Sequence, residues 1–481
     1  MTTTQLGTAD ISAAADGLPL TITTAARMLR DGTTTSVALT RAVQARADVL
    51  DPLIGTYIAR TDEAAIAAAT QADNELAAGT DRGPLHGIPL GIKDIIATSD
   101  APATAQSLIL DPSFGEQGDA VVVARLRAAG AVITGKVTTM EYAIGVPDAS
   151  KGFPTPRNPY DRDRWPGGSS SGTGNGVAAG LFLGGLGTDT GGSIRMPAAW
   201  CGISGLKATF GRVPKSGCVP LGFSYDNIGP MTRSARDCAA MLDVLAGYDE
   251  SDSSCSPSPV DDYLSALTGD AEGLRIGVDL SFLDRPGCDP DNAALMHVAL
   301  DVFRDLGATV VPVALPWHDE LVTATTAGML AEALAYHRAD LQRRWEDYGH
   351  GTRMAVGQAA LTLAADYVQA QRVRRVGVKA VNELFDDIDL ILMPTCLVPA
   401  PLLATLDFGT VRSAILTGYW NAVGNPAISI PMGLTSAGLP MGLQMSGRPF
   451  EESTVLRAAD AFQLQTGHHL QEPTMIKELL G

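Results

Sequence analysis

The spacing of apolar and polar positions changes along the chain. Residues 21–50 and 64–78 repeat alanine, leucine and valine at helical intervals, with Thr23 or Thr24 able to cap the first helix. Further on, short apolar runs predict strands at 87–93, 131–134, 274–279, 308–313, 389–393 and 427–430, and amphipathic runs predict helices at 119–129 and 290–306. Asp289 is the expected N-cap of the last helix, and Pro290 its first residue. Short apolar strands separated by helices are typical of an α/β protein whose sheet is covered on both faces.

The segment 249–261 interrupts this alternation. Its sequence, DESDSSCSPSPVD, is polar and contains two prolines, which predicts an exposed loop. Apolar strand patterns occur both before and after it, so we expect one sheet that continues across the loop.

Composition and charge narrow the class of protein. Of the 481 residues, 45% are hydrophobic, which is enough for a large buried core. The net charge of −18 argues against nucleic-acid partners, which require a surface rich in Lys and Arg. The most apolar run, 177–186, is too short to span a membrane, and residues 1–17 lack the pattern of a signal peptide. Six widely spaced cysteines suggest no disulfide framework. We therefore predict a cytoplasmic protein with no membrane partner.

The sequence predicts neither a metal site nor a cofactor. Its seven histidines are scattered, and neither a His-x-x-Glu-His nor a paired Cys-x-x-Cys pattern occurs. Residues 130–137 approach a phosphate-binding loop, but they lack its final hydroxyl and contain a strand-like Ala-Val-Ile-Thr run.

The segment 165–209 is unusually rich in glycine and serine. Gly-Gly-Ser triplets occur at 167–169 and 191–193, and the apolar stretch between them is compatible with one packed helix bearing a hydroxyl at each end. The glycines before Ser193 allow successive peptide N–H groups to converge on a developing anion. A serine nucleophile needs a base, and no histidine lies near this segment. A buried lysine can serve instead, and Lys93, at the end of an apolar strand, is a candidate.

Long motifs in this region resemble those of the amidase-signature family. They are Gly-Gly-Ser-Ser-Ser-Gly at 167–172, Gly-Thr-Asp-Thr-Gly-Gly-Ser-Ile-Arg-Met-Pro-Ala at 187–198, and Gly-Ile-Pro-Leu-Gly-Ile-Lys-Asp at 87–94. The resemblance covers roughly residues 65–465. It implies a single-domain amidase-signature fold over 1–481, with a mixed, twisted central β-sheet between helices. Within it we expect an N-terminal helical cover (1–65), a signature core (66–240), a variable helical and strand region (241–385), and C-terminal strands and helix (386–475).

The resemblance also implies roles for individual residues. Ser193 would be the nucleophile, Ser169 the bridging serine and Lys93 the base. The implied oxyanion hole consists of the N–H groups of Thr190, Gly191, Gly192 and Ser193. The implied supporting residues are Gly168, whose peptide bond to Ser169 would be cis, together with Asp189 and Arg195.

Family members cleave amides, anilides, carbamates and glutamine, so the substrate needs a separate argument. Apolar residues expected near the site suit a small uncharged amide, anilide or carbamate: Met140, Tyr142, Ile144, Phe153, Tyr419 and Trp420. We therefore predict an amidase that forms an acyl-enzyme on Ser193, acting as a monomer or homodimer.

Two alternatives stay open. The chain could be the glutaminase (A) subunit of a tRNA-dependent amidotransferase. That subunit places an acid where residues 411–420 have neither Asp nor Glu, whereas Arg353 is a candidate for binding a carboxylate. The chain could also be a catalytically silent binding subunit, although its three triad positions are intact.

A Gly-x-Ser-x-Gly nucleophile elbow at 168–172, with Ser170 as the reacting serine, is a further pattern in this segment. Such an elbow would need a preceding strand, and residues 162–166 are polar and end in proline.

Overall fold

The computed structural model describes residues 18–480, and the structural statements below refer to that range. The predicted lack of a signal peptide concerns residues 1–17, which lie outside it.

One eleven-stranded sheet runs through the described chain, and with its strands numbered along the sequence their spatial order is β1-β3-β2-β4-β6-β5-β10-β11-β9-β7-β8. The strands are β1 Tyr57–Arg60, β2 Pro89–Lys93, β3 Val132–Val137, β4 Gly184–Asp189, β5 Ser204–Lys207, β6 Asn227–Thr232, β7 Arg275–Val278, β8 Thr309–Pro312, β9 Leu390–Pro394, β10 Ala427–Leu434 and β11 Pro440–Gly447.

The sheet is mixed, as predicted. Strand β2 lies between β3 and β4 and is parallel to both, and β7 is parallel to β8 and β9. The central pairs from β4 to β9 are antiparallel. Strands from both sides of the loop at 249–261 belong to this sheet, which confirms that the sheet continues across the loop.

Fifteen α-helices occur within the described range. They are α1 Ile22–Arg30, α2 Ser36–Ile54, α3 Asp62–Ala77, α4 Val121–Ala128, α5 Ser171–Ala179, α6 Arg195–Cys201, α7 Ala235–Leu245, α8 Pro290–Asp305, α9 His318–Arg343, α10 His350–Gln358, α11 Ala364–Leu384, α12 Phe408–Ala414, α13 Gly418–Val423, α14 Glu452–Thr466 and α15 Thr474–Leu480.

Helices cover both faces of the sheet, and alternate residues of β11 show how. Leu443 and Met445 belong to the large apolar cluster that includes Phe462 of α14. Gly442 points to the other face, where a β-carbon would come within 2.5 Å of Ala199 of α6. Because strand side chains alternate between faces, these contacts place α14 and α6 on opposite sides of the sheet.

The N-terminal helical prediction was wrong in one detail. The pattern at 21–50 forms two helices, because Gly32 adopts a left-handed conformation (φ 74°) and Thr35 caps the second by accepting a hydrogen bond from the N–H of Ala38. Thr21 caps the first helix in place of Thr23 or Thr24. Asp289 caps α8 with Pro290 at its first position, which confirms that prediction.

The element between the two Gly-Gly-Ser triplets is not one helix. Helix α5 ends at Ala179, Gly180 takes a left-handed conformation, and the chain then forms the central strand β4. Glycine at 187 allows β4 to pack closely on α5, since a β-carbon there would lie 2.8 Å from Ser170 Oγ. Ser169 therefore precedes a helix, whereas Ser193 follows a strand.

Candidate active site

Neighbouring strands bring Lys93 to the glycine-serine segment. In the parallel pair β2–β4, Ile92 is aligned with Leu186, so Lys93 at the end of β2 reaches Thr188 near the end of β4. Ser169 and Ser170 enter from the residues just before α5, and the peptide bond between Gly168 and Ser169 is cis. Lys93, Ser169, Ser170 and Thr188 are all buried.

Three hydroxyl groups surround the amine of Lys93. Its Nζ lies 2.8 Å from Ser169 Oγ, 3.0 Å from Ser170 Oγ and 2.7 Å from Thr188 Oγ1. Ser170 Oγ already donates its proton to the carbonyl of Thr188, so it can only accept from Lys93. A neutral amine has two hydrogens and one lone pair. With the hydrogens directed at Ser170 and Thr188, the lone pair is left for the hydroxyl proton of Ser169.

Burial lowers the pKa of Lys93 to about 7, with nearby acidic groups offsetting only part of the effect. Within the described residues no carboxylate forms an ion pair with this amine. Lys136 is comparably buried, but it lies 3.7 Å from Asp94. Lys93 is thus able to be neutral near pH 7, in a position to accept a proton.

Ser193 lies in the turn between β4 and α6. It is partly exposed and lines the same pocket as Ser169. Its carbonyl accepts a hydrogen bond from the N–H of Ser170 at 3.2 Å, but its Oγ makes no hydrogen bond to Ser169 within the described residues. The structure therefore joins Lys93 directly to Ser169, and Ser169 shares one pocket with Ser193.

The turn around Ser193 contains peptide N–H groups without a partner. Among the residues described, those of Thr190, Gly191 and Ser193 make no hydrogen bond to protein. Gly192 differs from the prediction, because its N–H donates to Asp189 Oδ1 at 2.9 Å and is not free for a ligand. Three converging donors can still stabilise an oxyanion.

Asp189 and Arg195 hold this turn in place through buried hydrogen bonds. The Asp189 carboxylate accepts hydrogen bonds from the N–H groups of Gly192, Ile194 and Arg195 and from Asn421 Nδ2. Burial by itself raises the pKa of Asp189, but the charge and hydrogen bonds of Arg195, with help from Asn421, hold it at about 2. Asp189 is therefore a permanent anion that positions the backbone, and the sequence did not indicate the part taken by Asn421.

The pocket above Ser193 has a cavity volume of about 90 Å³, not counting the space that is open to solvent. Helices α9 and α12 supply one wall and the glycine-serine segment the other. Its lining is Ala143, Ile144, Gly145, Trp165, Gly168, Ser169, Thr190, Gly191, Gly192, Ser193, Met196, Leu221, Val322, Thr325, Thr326, Met329, Phe408, Val411, Arg412, Ile415 and Gly418. A cavity of this volume can enclose only a small group of a ligand, such as the amide to be cleaved.

Of the predicted wall residues, only Ile144 lines this pocket. Met140 packs in a cluster with Trp165, and Tyr142 lies edge-on against His337. Tyr419 stacks on His318, and the fully buried Trp420 contacts Tyr419. Phe153 also lies outside the lining. Met140, Tyr142, Tyr419 and Trp420 are buried in the core outside the pocket, whereas Phe153 is half-buried and belongs to neither the core nor the pocket.

Arg353, the candidate for binding a carboxylate, also lies outside the pocket. It forms an ion pair with Glu346 at 2.6 Å and its guanidinium lies over the ring of Trp345. The wall formed by α9 and α12 could not be identified from the sequence, since apart from Arg412 its residues are ordinary apolar or hydroxyl side chains at helical spacing.

Two features of residues 18–480 bear on other functional classes. None of the helices there combines the length and apolarity needed to cross a membrane. Nor do three or more His, Cys, Asp or Glu side chains in that range come together in a way that could hold a metal ion.

Comparison with known proteins identifies the family. A family model described as Amidase matches residues 38–456. The A subunit of the glutamyl-tRNA(Gln) amidotransferase of Chloroflexus aurantiacus is 40% identical over 95% of this chain and 99% of its own length. The putative amidase AmiD of Mycobacterium tuberculosis is 40% identical over 94% of this chain and 96% of its own. The crystal structure of peptide amidase from Stenotrophomonas maltophilia has a TM-score of 0.80 and 30% identity, covering 93% of this chain and 98% of that one. The chain belongs to the amidase family, the amidase-signature enzymes.

Proposed function

We propose that this protein is an amidase that hydrolyses the C–N bond of a small amide, anilide or carbamate through an acyl-enzyme on Ser193. The observation that carries the proposal is the contact between the Lys93 amine and the Ser169 hydroxyl at 2.8 Å, in a fully buried site. A lysine with a pKa of about 7 and no carboxylate partner among the described residues is suited to act as a base.

The proposed reaction begins when Ser193 Oγ attacks the carbonyl carbon of the substrate. The Ser193 proton passes to Ser169 Oγ as the Ser169 proton passes to Lys93 Nζ. This step requires Ser193 Oγ to turn toward Ser169 when substrate binds, and such hydrogen bonds often tighten only in the complex. The N–H groups of Thr190, Gly191 and Ser193 stabilise the negative oxygen of the tetrahedral intermediate.

The same relay runs in reverse to release the products. Lys93 returns its proton through Ser169 to the leaving nitrogen as the C–N bond breaks. Water then attacks the acyl group on Ser193, giving its proton to the relay, and Ser193 recovers a proton when the carboxylic acid leaves. Each half-reaction ends with Lys93 neutral.

The composition of the pocket supports an amide with an apolar body. Met196, Leu221, Val322, Met329 and Val411 are among its lining, which includes neither Asp nor Glu from the described part of the chain. The ammonium group of glutamine would therefore have no carboxylate to pair with in this pocket. This argues against glutaminase activity, although the amidotransferase A subunit is as similar to this chain as the putative amidase.

The proposal is tested by fluorophosphonate labelling combined with turnover of acetanilide, a phenyl carbamate and glutamine. We expect wild type to label and to hydrolyse an anilide or carbamate, and Ser193→Ala to lose both activities. Ser150→Ala, at an exposed serine, is the matched control and should behave as wild type.

Two results would count against the proposal. Labelling that survives in Ser193→Ala but is lost in Ser170→Ala would favour the serine-elbow alternative. Failure of wild type to label and to turn over any substrate would favour a silent binding subunit.

A further inference from the structure

Arg412 of α12 lies in the wall of the substrate pocket. Its side chain is part of the lining that includes Ser169 and Ser193, and it also lines the outer cleft between α10 and α12. The guanidinium makes one hydrogen bond, from Nη2 to Thr326 Oγ1 at 2.7 Å. Within the described residues it forms no ion pair with an acid.

Four arginines of the described chain are buried more deeply than Arg412, and their guanidinium groups all have protein partners. Arg46 pairs with Glu472 at 2.9 Å, Arg195 with Asp189 at 2.8 Å, and Arg212 lies 3.6 Å from Glu452. Arg233 forms no ion pair in the described range but donates to three backbone carbonyl groups. Arg412 has neither arrangement, so most of its donors remain available to a ligand.

The electrostatics of Arg412 agree with this geometry. Burial lowers the pKa of its guanidinium, and no acidic group among the residues described offsets the effect. Arg412 is partly exposed, so burial removes only part of the hydration of its charge, and no acid in the described residues compensates for that loss. In a chain with a net charge of −18, an arginine without an acid at an active-site pocket indicates that the counter-ion comes from outside.

We propose that Arg412 binds a carboxylate of the substrate, so that the natural substrate is an amide bearing a negatively charged group away from the bond that is cut. This inference rests on the proposed amidase function and replaces the uncharged substrate predicted from the sequence. A guanidinium presents two parallel N–H donors that match the two oxygens of a carboxylate.

The pocket also restricts what else that substrate can carry. No Asp or Glu of residues 18–480 lines it, so an ammonium group beside the carboxylate would be buried without a partner. The substrate is therefore an anion and not a zwitterion: the half-amide of a dicarboxylic acid, or an N-acyl derivative of an amino acid or aminobenzoate. Free glutamine does not fit this description.

The test uses substrates that differ only in charge. Glutaric acid mono-4-nitroanilide carries a carboxylate on the acyl side, and its methyl ester is the neutral match. 4-Acetamidobenzoate carries the carboxylate on the amine that leaves, and its methyl ester is the neutral counterpart. We expect wild type to prefer the acid over the ester by about 10- to 100-fold in kcat/KM in one of the two pairs, since a hydrogen bond to a charged group contributes that much.

Substitutions assign the preference to Arg412. Arg412→Gln should reduce the acid-to-ester ratio to about one while the ester is still hydrolysed, and Arg412→Lys should restore part of the preference. Arg353→Gln removes an arginine charge outside the pocket and should keep the wild-type ratio. Circular dichroism verifies that each variant is folded.

The outcomes separate this inference from the proposed function. If wild type hydrolyses the esters as well as or better than the acids in both pairs, the carboxylate inference is wrong and the amidase proposal stands. The same holds if Arg412→Gln retains the acid preference. If wild type cleaves no member of either pair and does not label with fluorophosphonate, the proposed function itself fails, and the carboxylate inference falls with it.

Discussion

The carboxylate of Asp189 binds the guanidinium of Arg195 through two hydrogen bonds, of 2.8 and 3.0 Å, and both side chains are completely buried. Arg195 also reaches Gln444 and Asn421, at 2.7 and 2.6 Å. The pair thus connects the turn bearing Ser193 to β11 and to α13. Its contribution is to hold that turn in place, because neither group is directed at the position of a reacting atom.

Removing the charge of Asp189 should strongly destabilise the protein. Asp189→Asn leaves Arg195 buried without a counter-ion, and we expect the free energy of unfolding in urea to fall by about 3–5 kcal/mol. Asp301→Asn is the matched control. It breaks the ion pair between Asp301 and Arg304, whose side chains are 71% and 52% exposed respectively. Its cost in the free energy of unfolding should be less than about 1 kcal/mol. Equal losses in the two variants would contradict the structural role assigned to Asp189.

Activity should rise with pH as Lys93 loses its proton. Below its pKa of about 7 the amine is protonated and cannot accept a proton, so kcat/KM is expected to increase through pH 7 and level off above it. Lys93→Met should lower kcat by at least about 10²-fold above pH 7, the size typical of a lost general base, and the difference from wild type should shrink at lower pH. A variant with a normal rate, or a wild-type profile flat from pH 5 to 9, would rule out this lysine as the base.

The same lysine should make stability depend on pH. The pKa of Lys93 is about 7 in the native protein against 10.5 for an unperturbed lysine, so between these values the unfolded chain holds more protons than the native one. Native stability due to this group therefore rises with pH across that window. Lys93→Met lacks this contribution, and its advantage in melting temperature over wild type should shrink from pH 7 to pH 10. An advantage that grows with pH would show that the lysine is charged in the native state.

Thr188 should adjust the pKa of Lys93 through its hydroxyl. Its Oγ1 accepts a hydrogen bond from the amine, and such acceptors favour the charged form. Thr188→Val removes the acceptor, so the midpoint of the pH–rate profile should move to lower pH, and kcat should fall about tenfold because the amine loses its orientation. Thr188→Ser retains the hydroxyl and should restore the wild-type midpoint. A merely structural effect would lower the rate in Thr188→Val without moving the midpoint.

Glycine is required at position 192. Its φ is +129°, and a β-carbon there would lie 1.9 Å from Thr417 Oγ1, a hydroxyl that donates to the Gly191 carbonyl. We expect Gly192→Ala to displace the turn and to lower kcat/KM by more than about 10²-fold, as does the loss of an oxyanion donor. In Gly191→Ala the β-carbon would meet nothing within 4 Å, so this variant should keep its melting temperature and most of its activity. Comparable losses in both variants would contradict the steric argument.

The amino-acid sequence by itself determined the class of fold and six of the eleven strands of the sheet, and its motifs pointed to the three polar residues proposed for the chemistry. Apolar runs such as that ending at Lys93 identify strands because burial on both faces requires continuous apolar side chains. The roles expected for Ser169, Ser193 and Lys93 follow from the resemblance of their motifs to those of the amidase-signature family. Five strands were not predicted: β1, β4, β5, β6 and β11. In β4 the reason is its glycine content, because a glycine-rich strand lacks the apolar pattern by which strands are found.

Only the tertiary structure decided what these residues meet. The contact of Lys93 with Ser169, Ser170 and Thr188 depends on the pairing of β2 with β4, which no local pattern encodes. The pocket wall comes from α9 and α12, far along the chain, and Met140 and Trp420 turned instead into the core. Arg412 resembles any other arginine in the sequence, and the role proposed for it rests on the absence of an ion-pair partner within the described structure. Contacts between distant segments set burial and pairing, and those two quantities control the chemistry of a charged group.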